Sequence, residues 1–394
     1  MTTRNVCGYR FTGTGTSARS VLGLVSGAHV VLVCFGFRKW RMIKRLLALI
    51  RSYSFYFSTV FYNTKSSAGR PLVPRPITSK VAPWFGGEMA PKVERINIIP
   101  IVELGEGPHW DVRSQSLYFV DIFGKSVHKY IPSSGQHYKA SVGKHVSVIV
   151  PVENDPQRFV IGLERDISLI TWDGVSQKPE KIEKIAEVDV GTENRMNDGK
   201  CDPKGRLFVG TMGPEPVNGQ VTPDMGVLYS FEKNKLTKHL SKLGISNGLA
   251  WSADSKKFYY TDTFTYRVDQ FDYDIETGSI SNRTTIFTPK KHGIEGFPDG
   301  MTIDADGNLW LAIFNGYKVV KFDPRKPETL LEVVKIPAKQ VTSVAWGGPE
   351  LDILYVTSAK FTVKGVELPP PDHGATYKVT GLGTRGLPMN SLVL

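Results

Sequence analysis

Short runs of β-forming residues alternate with turns rich in Gly, Asp and Pro from about residue 95 to the C-terminus. Each run has four or five residues, and a polar turn and a second apolar run follow most of them. This alternation predicts strands joined by turns, and long helical periodicity is missing from the region. One aromatic residue marks the same position in each repeat, at spacings of 41, 49, 51, 51 and 45 residues: Tyr118, Phe159, Phe208, Tyr259, Trp310 and Tyr355.

Six repeats of this length, each with several strands, predict an all-β fold, a six-bladed β-propeller with one blade per repeat. We assign residues 93–394 to this propeller. An additional strand at residues 95–104 is expected to complete the last blade, because its pairing closes the ring and removes a free sheet edge. A two-sheet sandwich is the alternative, but it does not predict a fixed period.

The net charge of +11 belongs to the N-terminal part of the chain. Residues 1–87 contain 13 Lys or Arg and no Asp or Glu, whereas the remaining residues carry 36 basic and 38 acidic side chains. The repeat region is therefore nearly neutral. This argues against a nucleic-acid partner, since the basic residues do not belong to a folded domain.

Residues 1–92 are interpreted as a basic, mostly unstructured N-terminal extension. Its lack of acidic residues and its Arg, Ser and Thr content are typical of an organelle transit peptide. Residues 21–37 are mostly apolar, but 17 residues are marginal for a membrane span, which needs about 20. Met89 stands where the composition becomes globular, so an alternative start is also open. We expect a cytoplasmic protein, with organelle targeting or membrane anchoring through residues 1–88 as alternatives.

Four motifs place a carboxylate or carboxamide in a turn, beside Gly or Pro, near the inner strand of a repeat. Such pairs are common in turns, but their recurrence at equivalent places in four repeats favours a shared function. In a propeller the innermost strands converge on a central channel, where residues remote in sequence can meet around one ion or ligand. The motifs are GEGP at 105–108, RMNDGK at 195–200, ISNGL at 245–249 and FPDGM at 297–301.

Three of these motifs supply oxygen ligands of the kind that hard cations prefer, from Glu106, Asn247 and Asp299. No His or Cys stands among them, which favours Ca²⁺, Mg²⁺ or Mn²⁺ over copper or a thiolate zinc site. Three protein ligands leave positions open for water and substrate, which suits catalysis better than a closed structural site.

Together with GTM at 210–212 and TGLGTRG at 380–386, these motifs resemble those of the SMP-30/gluconolactonase family over residues 95–394. The resemblance implies a six-bladed propeller with one divalent cation (Ca²⁺, Zn²⁺, Mn²⁺ or Mg²⁺) that hydrolyses sugar aldonolactones such as gluconolactone. The metal ligands that it implies are Glu106, Asn247 and Asp299. The substrate-binding residues that it implies are Arg195, Asn197 and Glu215. The chain departs from the family pattern just before Glu215, where it has Gly-Pro at 213–214.

The implied mechanism uses metal-activated water with Asp299 as the general base. Arg195 and Asn197 would donate hydrogen bonds to sugar hydroxyls or to the developing oxyanion. Two other functions remain open: a non-catalytic calcium-binding regulatory protein, and a related hydrolase with a different substrate, as in luciferin-regenerating proteins. A small sugar lactone is the expected partner. We expect a monomer, because the repeat region is a closed ring with no obvious apolar patch.

Overall fold

The structure is a computed structural model that describes residues 90–215, 220–362 and 367–394, together with four strands within residues 1–89. The chain divides into two compact units, Met1–Gly86 and Gly87–Leu394. The first unit contains one sheet in the order β1-β2-β3-β4, with β3 and β4 parallel. Its strands are β1 (Cys7–Arg10), β2 (Val21–Ser26), β3 (His29–Cys34) and β4 (Tyr56–Phe61).

The apolar run at residues 21–37 thus contains β2 and β3. The rest of the predicted extension up to residue 89 lies outside the described residues. Within the part of the chain that the structure describes, no helix is long and apolar enough to cross a membrane.

The second unit is the predicted six-bladed β-propeller. Its described residues form 24 strands, which pair into six antiparallel sheets of four strands each. The first three blades are β6 (Gly105–Asp111), β7 (Ser116–Asp121), β8 (Ser126–Ile131) and β9 (Gln136–Ser141); β10 (Val146–Val152), β11 (Asp155–Leu163), β12 (Asp166–Thr171) and β13 (Lys181–Glu187); β14 (Arg195–Cys201), β15 (Leu207–Met212), β16 (Gly226–Glu232) and β17 (Lys235–Leu243).

The other three blades follow in chain order, except that the last one takes its outer strand from the start of the unit. They are β18 (Ser246–Trp251), β19 (Lys257–Asp262), β20 (Arg267–Tyr273) and β21 (Ile280–Phe287); β22 (Phe297–Ile303), β23 (Leu309–Phe314), β24 (Lys318–Phe322) and β25 (Leu330–Lys335); β26 (Gln340–Gly347), β27 (Ile353–Ala359), β28 (Tyr377–Thr380) and β5 (Lys92–Arg95).

The ring is closed by β5, which pairs antiparallel with β28. A closing strand was predicted at residues 95–104, but the observed strand ends at Arg95. Beyond it the chain turns, with the Ile99 N–H donating to the Ile96 carbonyl at 3.1 Å. Pro100 follows this turn and has no N–H to offer a sheet. The prediction of a closing strand was therefore right about its role and wrong about its position.

The hydrophobic core lies between neighbouring blades. All six anchor aromatics are buried on the second strand of their blades. Tyr118 of blade 1 lies 4.9 Å from Phe159 of blade 2, measured between ring centroids, and Trp310 of blade 5 lies 5.3 Å from Trp346 of blade 6. Burial of these large rings is the main favourable term that holds blade against blade. The apolar side chains pack between blades, and the innermost strands surround the axis, where polar side chains can be placed.

The inner strands β6, β10, β14, β18, β22 and β26 pack one against the next, and β26 packs against β6. We call the face where these strands begin the upper face and the opposite one the lower face. The C-terminal segment, residues 384–394, crosses the lower face. Its backbone bonds to Ala305, Leu351, Pro151 and Gly205, which lie on blades 5, 6, 2 and 3. The segment therefore braces blades that are remote in sequence.

Candidate metal centre and substrate site

A β-bulge interrupts each of the six inner strands. In β6 the register shifts between Glu106 and His109, and in β22 it shifts between Pro298 and Met301. The other four inner strands shift at equivalent places. A bulge inserts one extra residue, bends the strand and redirects a side chain. The four motifs were interpreted as turns beside the inner strands, and this is corrected: they are bulges within those strands.

The Gly residues of these motifs permit close approach of neighbouring inner strands. A Cβ on Gly248 would lie 2.6 Å from the Asp299 carbonyl oxygen. A Cβ on Gly300 would lie 2.0 Å from Ser343 Oγ and 2.5 Å from Ser343 Cβ. Only Gly fits at such distances. In each Asn-Gly or Asp-Gly pair, the bulge redirects the polar side chain. The Gly that follows has no side chain and so allows the inner strand of the next blade to pack closely.

A chain of hydrogen bonds joins the predicted substrate-binding residues to one predicted metal ligand. Asn197 Nδ2 donates to Asn247 Oδ1 at 3.2 Å and to the Ser246 carbonyl at 3.0 Å. Arg195 Nη1 donates to Asn197 Oδ1 at 3.1 Å. Arg195 Nη2 and Nε donate to Glu215 Oε2 at 3.0 and 3.2 Å. The structure therefore brings Arg195, Asn197, Glu215 and Asn247 together. The departure from the family pattern at residues 213–214 does not prevent Glu215 from pairing with Arg195.

Three buried carboxyl groups, those of Glu106, Asp198 and Asp299, form the electrostatic centre of the site. Each residue is no more than 6% exposed. Burial, followed by the charge of Asp198, raises the pKa of Glu106 well above its ordinary value. Burial, followed by the charges of Glu106 and Asp198, raises the pKa of Asp299 well above its ordinary value. The carboxyl groups are thus close enough to repel one another when ionised.

A divalent cation fits this arrangement. Asp299 Oδ1 is buried and has no hydrogen-bond partner among the described residues, a state that costs free energy unless a cation or donor satisfies the oxygen. Within those same residues, no three His, Cys, Asp or Glu side chains form a metal-binding group. The implied ligand set contains only two such side chains, from Glu106 and Asp299, because its third member is the amide of Asn247. Carboxylate and amide oxygens are suitable ligands for a hard cation.

The orientation of the Asn247 amide is fixed by Thr263, which the sequence analysis missed. Thr263 Oγ1 donates its single proton to the Pro298 carbonyl at 3.0 Å. It must therefore accept the second hydrogen bond, from Asn247 Nδ2 at 2.8 Å. The amide oxygen is left on the side of Asn197. A Thr in the loop after β19 carries no motif, so the sequence offered no signal for it.

Asp198 and Lys200 were also missed, although both lie in the RMNDGK motif. Asp198 Oδ1 accepts a hydrogen bond from the Gly199 N–H at 2.7 Å. Lys200 Nζ donates to the Met301 carbonyl, two blades away, at 2.8 Å. Both line a small cavity of about 10 Å³ together with His109, Ser343 and Met389. Since Met389 belongs to the C-terminal segment, this segment lines the cavity, which is too small for more than about one water molecule.

Comparison with known proteins identifies the family. The family model for the SMP-30/Gluconolactonase/LRE-like region matches residues 104–360, which include every inner strand. The chain belongs to this family. Regucalcin of Danio rerio is 38% identical over 290 residues, which cover 73% of this chain and 93% of that protein.

Two solved structures of this kind extend the comparison. A luciferin-regenerating enzyme is 47% identical, with a TM-score of 0.74, over 77% of this chain and 100% of that chain. A calcium-binding protein, regucalcin, from Agrobacterium tumefaciens is 26% identical, with a TM-score of 0.66, over 76% of this chain and 97% of that chain. Membership of the SMP-30/gluconolactonase family and the six-bladed propeller are thereby confirmed.

Proposed function

We propose that this protein is a lactone hydrolase that uses one divalent cation bound by Glu106, Asn247 and Asp299. The observation that carries the proposal is the buried Asp299 Oδ1, which has no hydrogen-bond partner in the described part of the chain and lies among mutually repelling carboxyl groups. Such a centre favours a bound cation, and membership of the SMP-30/gluconolactonase family supports lactone chemistry. We propose sugar aldonolactones as substrates.

Asp299 is the group that we expect to move the proton. Its free Oδ1 accepts a proton from water while the water oxygen bonds to the lactone carbonyl carbon. The ester bond to the ring oxygen then breaks, and that oxygen takes the proton from Asp299 to give the open-chain hydroxy acid. A divalent cation, when bound, supplies positive charge that polarises the carbonyl and lowers the pKa of the neighbouring carboxyl groups.

Arg195 is the side chain best placed to bind a substrate oxygen. Its guanidinium group has five N–H groups, and four are used by Glu215, Asn197 and the Met196 carbonyl. Among the described residues, the second N–H of Nη2 has no acceptor and is left to donate to a substrate. Asn197 already uses both Nδ2 protons on Ser246 and Asn247. We therefore propose that Asn197 positions its neighbours and that the donor to substrate is Arg195.

The test is gluconolactone hydrolysis by the full chain, stripped of metal and then given Ca²⁺, Mg²⁺, Mn²⁺ or Zn²⁺ in turn. We expect turnover that depends on the cation and falls about 100-fold or more in Asp299→Asn, since a general base contributes about 10²–10⁴-fold. Asp352→Asn, an exposed acid on the lower face, is the matched control. Undiminished turnover in Asp299→Asn would refute the assigned role of Asp299.

Two observations favour a second candidate, a hydrolase with a different substrate. The luciferin-regenerating enzyme is matched over its whole length and at higher identity than the Danio rerio regucalcin. Comparing sugar and non-sugar lactones in the same assay separates the two candidates. A third role, calcium binding without catalysis, predicts cation binding with no turnover and no effect of Arg195→Gln.

A further inference from the structure

Three aromatic side chains, Phe123, Phe314 and Phe361, form a cluster on the upper face. Phe361 lies 5.6 Å from Phe123 and 5.6 Å from Phe314, measured between ring centroids. Each residue lies at or just beyond the end of the second strand of its blade, on blades 1, 5 and 6. All three are only partly buried, unlike the six anchor aromatics of the core. We call this group the aromatic wall.

The aromatic wall adjoins the upper ends of the inner strands. Phe314 pairs in register with Phe297, which stands two residues before Asp299 on β22. Gln340, the first residue of β26, donates an Nε2 proton to the Phe361 carbonyl at 2.9 Å. Blades 5 and 6 therefore hold their part of the wall directly above the strand ends that lead into the site.

On blade 1, the segment that carries Phe123 is likewise hydrogen-bonded to the start of the inner strand. The Ile122 N–H, next to Phe123, donates to the Leu104 carbonyl at 2.9 Å. Leu104 stands two residues before Glu106 at the start of β6. The backbone segments that carry the three rings therefore adjoin the upper ends of β6, β22 and β26, and Glu106 and Asp299 follow two residues after the contacts at Leu104 and Phe297.

The opposite side of the entrance is charged. In a closed ring of six blades, blade 3 faces blade 6 across the axis. Blade 3 carries the Arg195–Glu215 ion pair, with 10% and 29% of the two side chains exposed. Blade 6 carries Phe361, flanked by Phe314 and Phe123 on its neighbours. The Arg195–Glu215 ion pair therefore stands across the axis from the three rings, which have the Lys360–Glu103 ion pair beside them.

We infer that the site accepts, beside the sugar aldonolactones of the proposed function, a second kind of substrate: a lactone that bears an aryl or alkyl substituent. Its polar end lies toward Arg195, and its apolar substituent covers the aromatic wall, which loses water-exposed apolar surface on binding. The position of the lactone carbonyl beside Asp299 rests on the proposed function. The preference for an apolar substituent rests on the wall alone, so the two can fail separately.

The first test compares γ-butyrolactone with γ-phenyl-γ-butyrolactone as substrates of the full chain. We expect a higher kcat/KM for the phenyl compound. In Phe361→Ala this preference, the ratio of the two kcat/KM values, falls about three- to tenfold, the equivalent of one aromatic contact. Phe361→Leu, which keeps an apolar side chain, retains part of the preference. Thermal unfolding establishes that both variants are folded.

Tyr138→Ala is the matched control, because Tyr138 packs against the same core cluster as the wall but lies on the outer strand β9. It leaves the preference at the wild-type value. If the wild-type protein shows no phenyl preference, or if folded Phe361→Ala retains it in full, the inference is wrong.

The second test needs no turnover. Calorimetric titration compares binding of 4-hydroxy-4-phenylbutanoate and 4-hydroxybutanoate, the two hydrolysis products. We expect tighter binding of the phenyl compound, and loss of that difference in Phe361→Ala. A phenyl preference in binding without hydrolysis of any lactone would support the wall and refute the lactonase. Equal binding of both products would refute the wall.

Discussion

Replacing Asp299 with Asn should stabilise the metal-free protein at neutral pH while it lowers turnover about 100-fold or more. The raised pKa of Asp299 means that the folded protein binds its proton more tightly than the unfolded chain does. Folding stability is then fully retained at low pH and is lost as the pH rises from the ordinary pKa through the folded one. Asn keeps the shape of the side chain but carries no charge. The loss of folding stability with rising pH that Asp299 causes is therefore absent from the variant.

The size of the effect follows from the pH interval. Between an ordinary pKa of about 3.9 and pH 7, each unit costs about 1.4 kcal/mol, which gives a ceiling of about 4 kcal/mol for one carboxyl group. The amide N–H groups that the Asp299→Asn substitution introduces need acceptors of their own, at a cost of about 1–2 kcal/mol. We expect a net gain of at most about 2–3 kcal/mol, which for a unit of about 300 residues is an increase in Tm of up to about 3–5 °C.

The assay is thermal unfolding in the presence of a chelator at pH 5 and pH 8, with Asp352→Asn as the control. The wild-type protein should lose Tm between pH 5 and pH 8, and Asp299→Asn should lose less. An added divalent cation should raise the Tm of the wild-type protein more than that of the variant. If Asp299→Asn lowers the Tm equally at both pH values, the three carboxyl groups do not repel one another as described.

Three further changes test the framework around the site. Thr263→Val removes the acceptor that orients Asn247, and we expect cation affinity to fall about tenfold in a metal titration; Thr265→Val in the same loop should leave it unchanged. Gly300→Ala should lower the free energy of unfolding by about 1–3 kcal/mol in urea, because its Cβ displaces the next inner strand; an unchanged midpoint would show that the strands separate easily. Leu392→Ala should cost about 2–5 kcal/mol in the same measurement, as expected for a fully buried side chain; a cost near zero would mean that the C-terminal segment is not part of the fold.

The blades were predictable because each repeat carries the same aromatic anchor at nearly the same spacing. The bulges were not predictable, because an extra residue in a strand is recognised only from the register of its partner. This is why GEGP and FPDGM were interpreted as turns. The closing strand was misplaced because residues 96–104 are as apolar as a strand, and only the turn before Pro100 distinguishes them.

The candidate site was predictable where its residues lie in motifs and was missed where they do not. Asp198 stands between Asn197 and Gly199, yet its charge matters only because the ring brings it near Glu106. Thr263 acts through Asn247, and its position depends on the loop after β19. The aromatic wall likewise combines three blades, so no single segment of the sequence contains it.

Because a bulge recurs in all six inner strands, each blade can supply a ligand to the axis independently of the others. Each blade presents one equivalent position toward the axis, and four of these positions carry the acids and amides of the site. Blade 2 has Ser147 at its bulge and blade 6 has Ser343. A residue of similar size at either position changes the ligand set of one blade only, whereas a larger one in place of Ser343 would meet Gly300 of blade 5. Ligand number and charge can therefore evolve, or be engineered, one blade at a time.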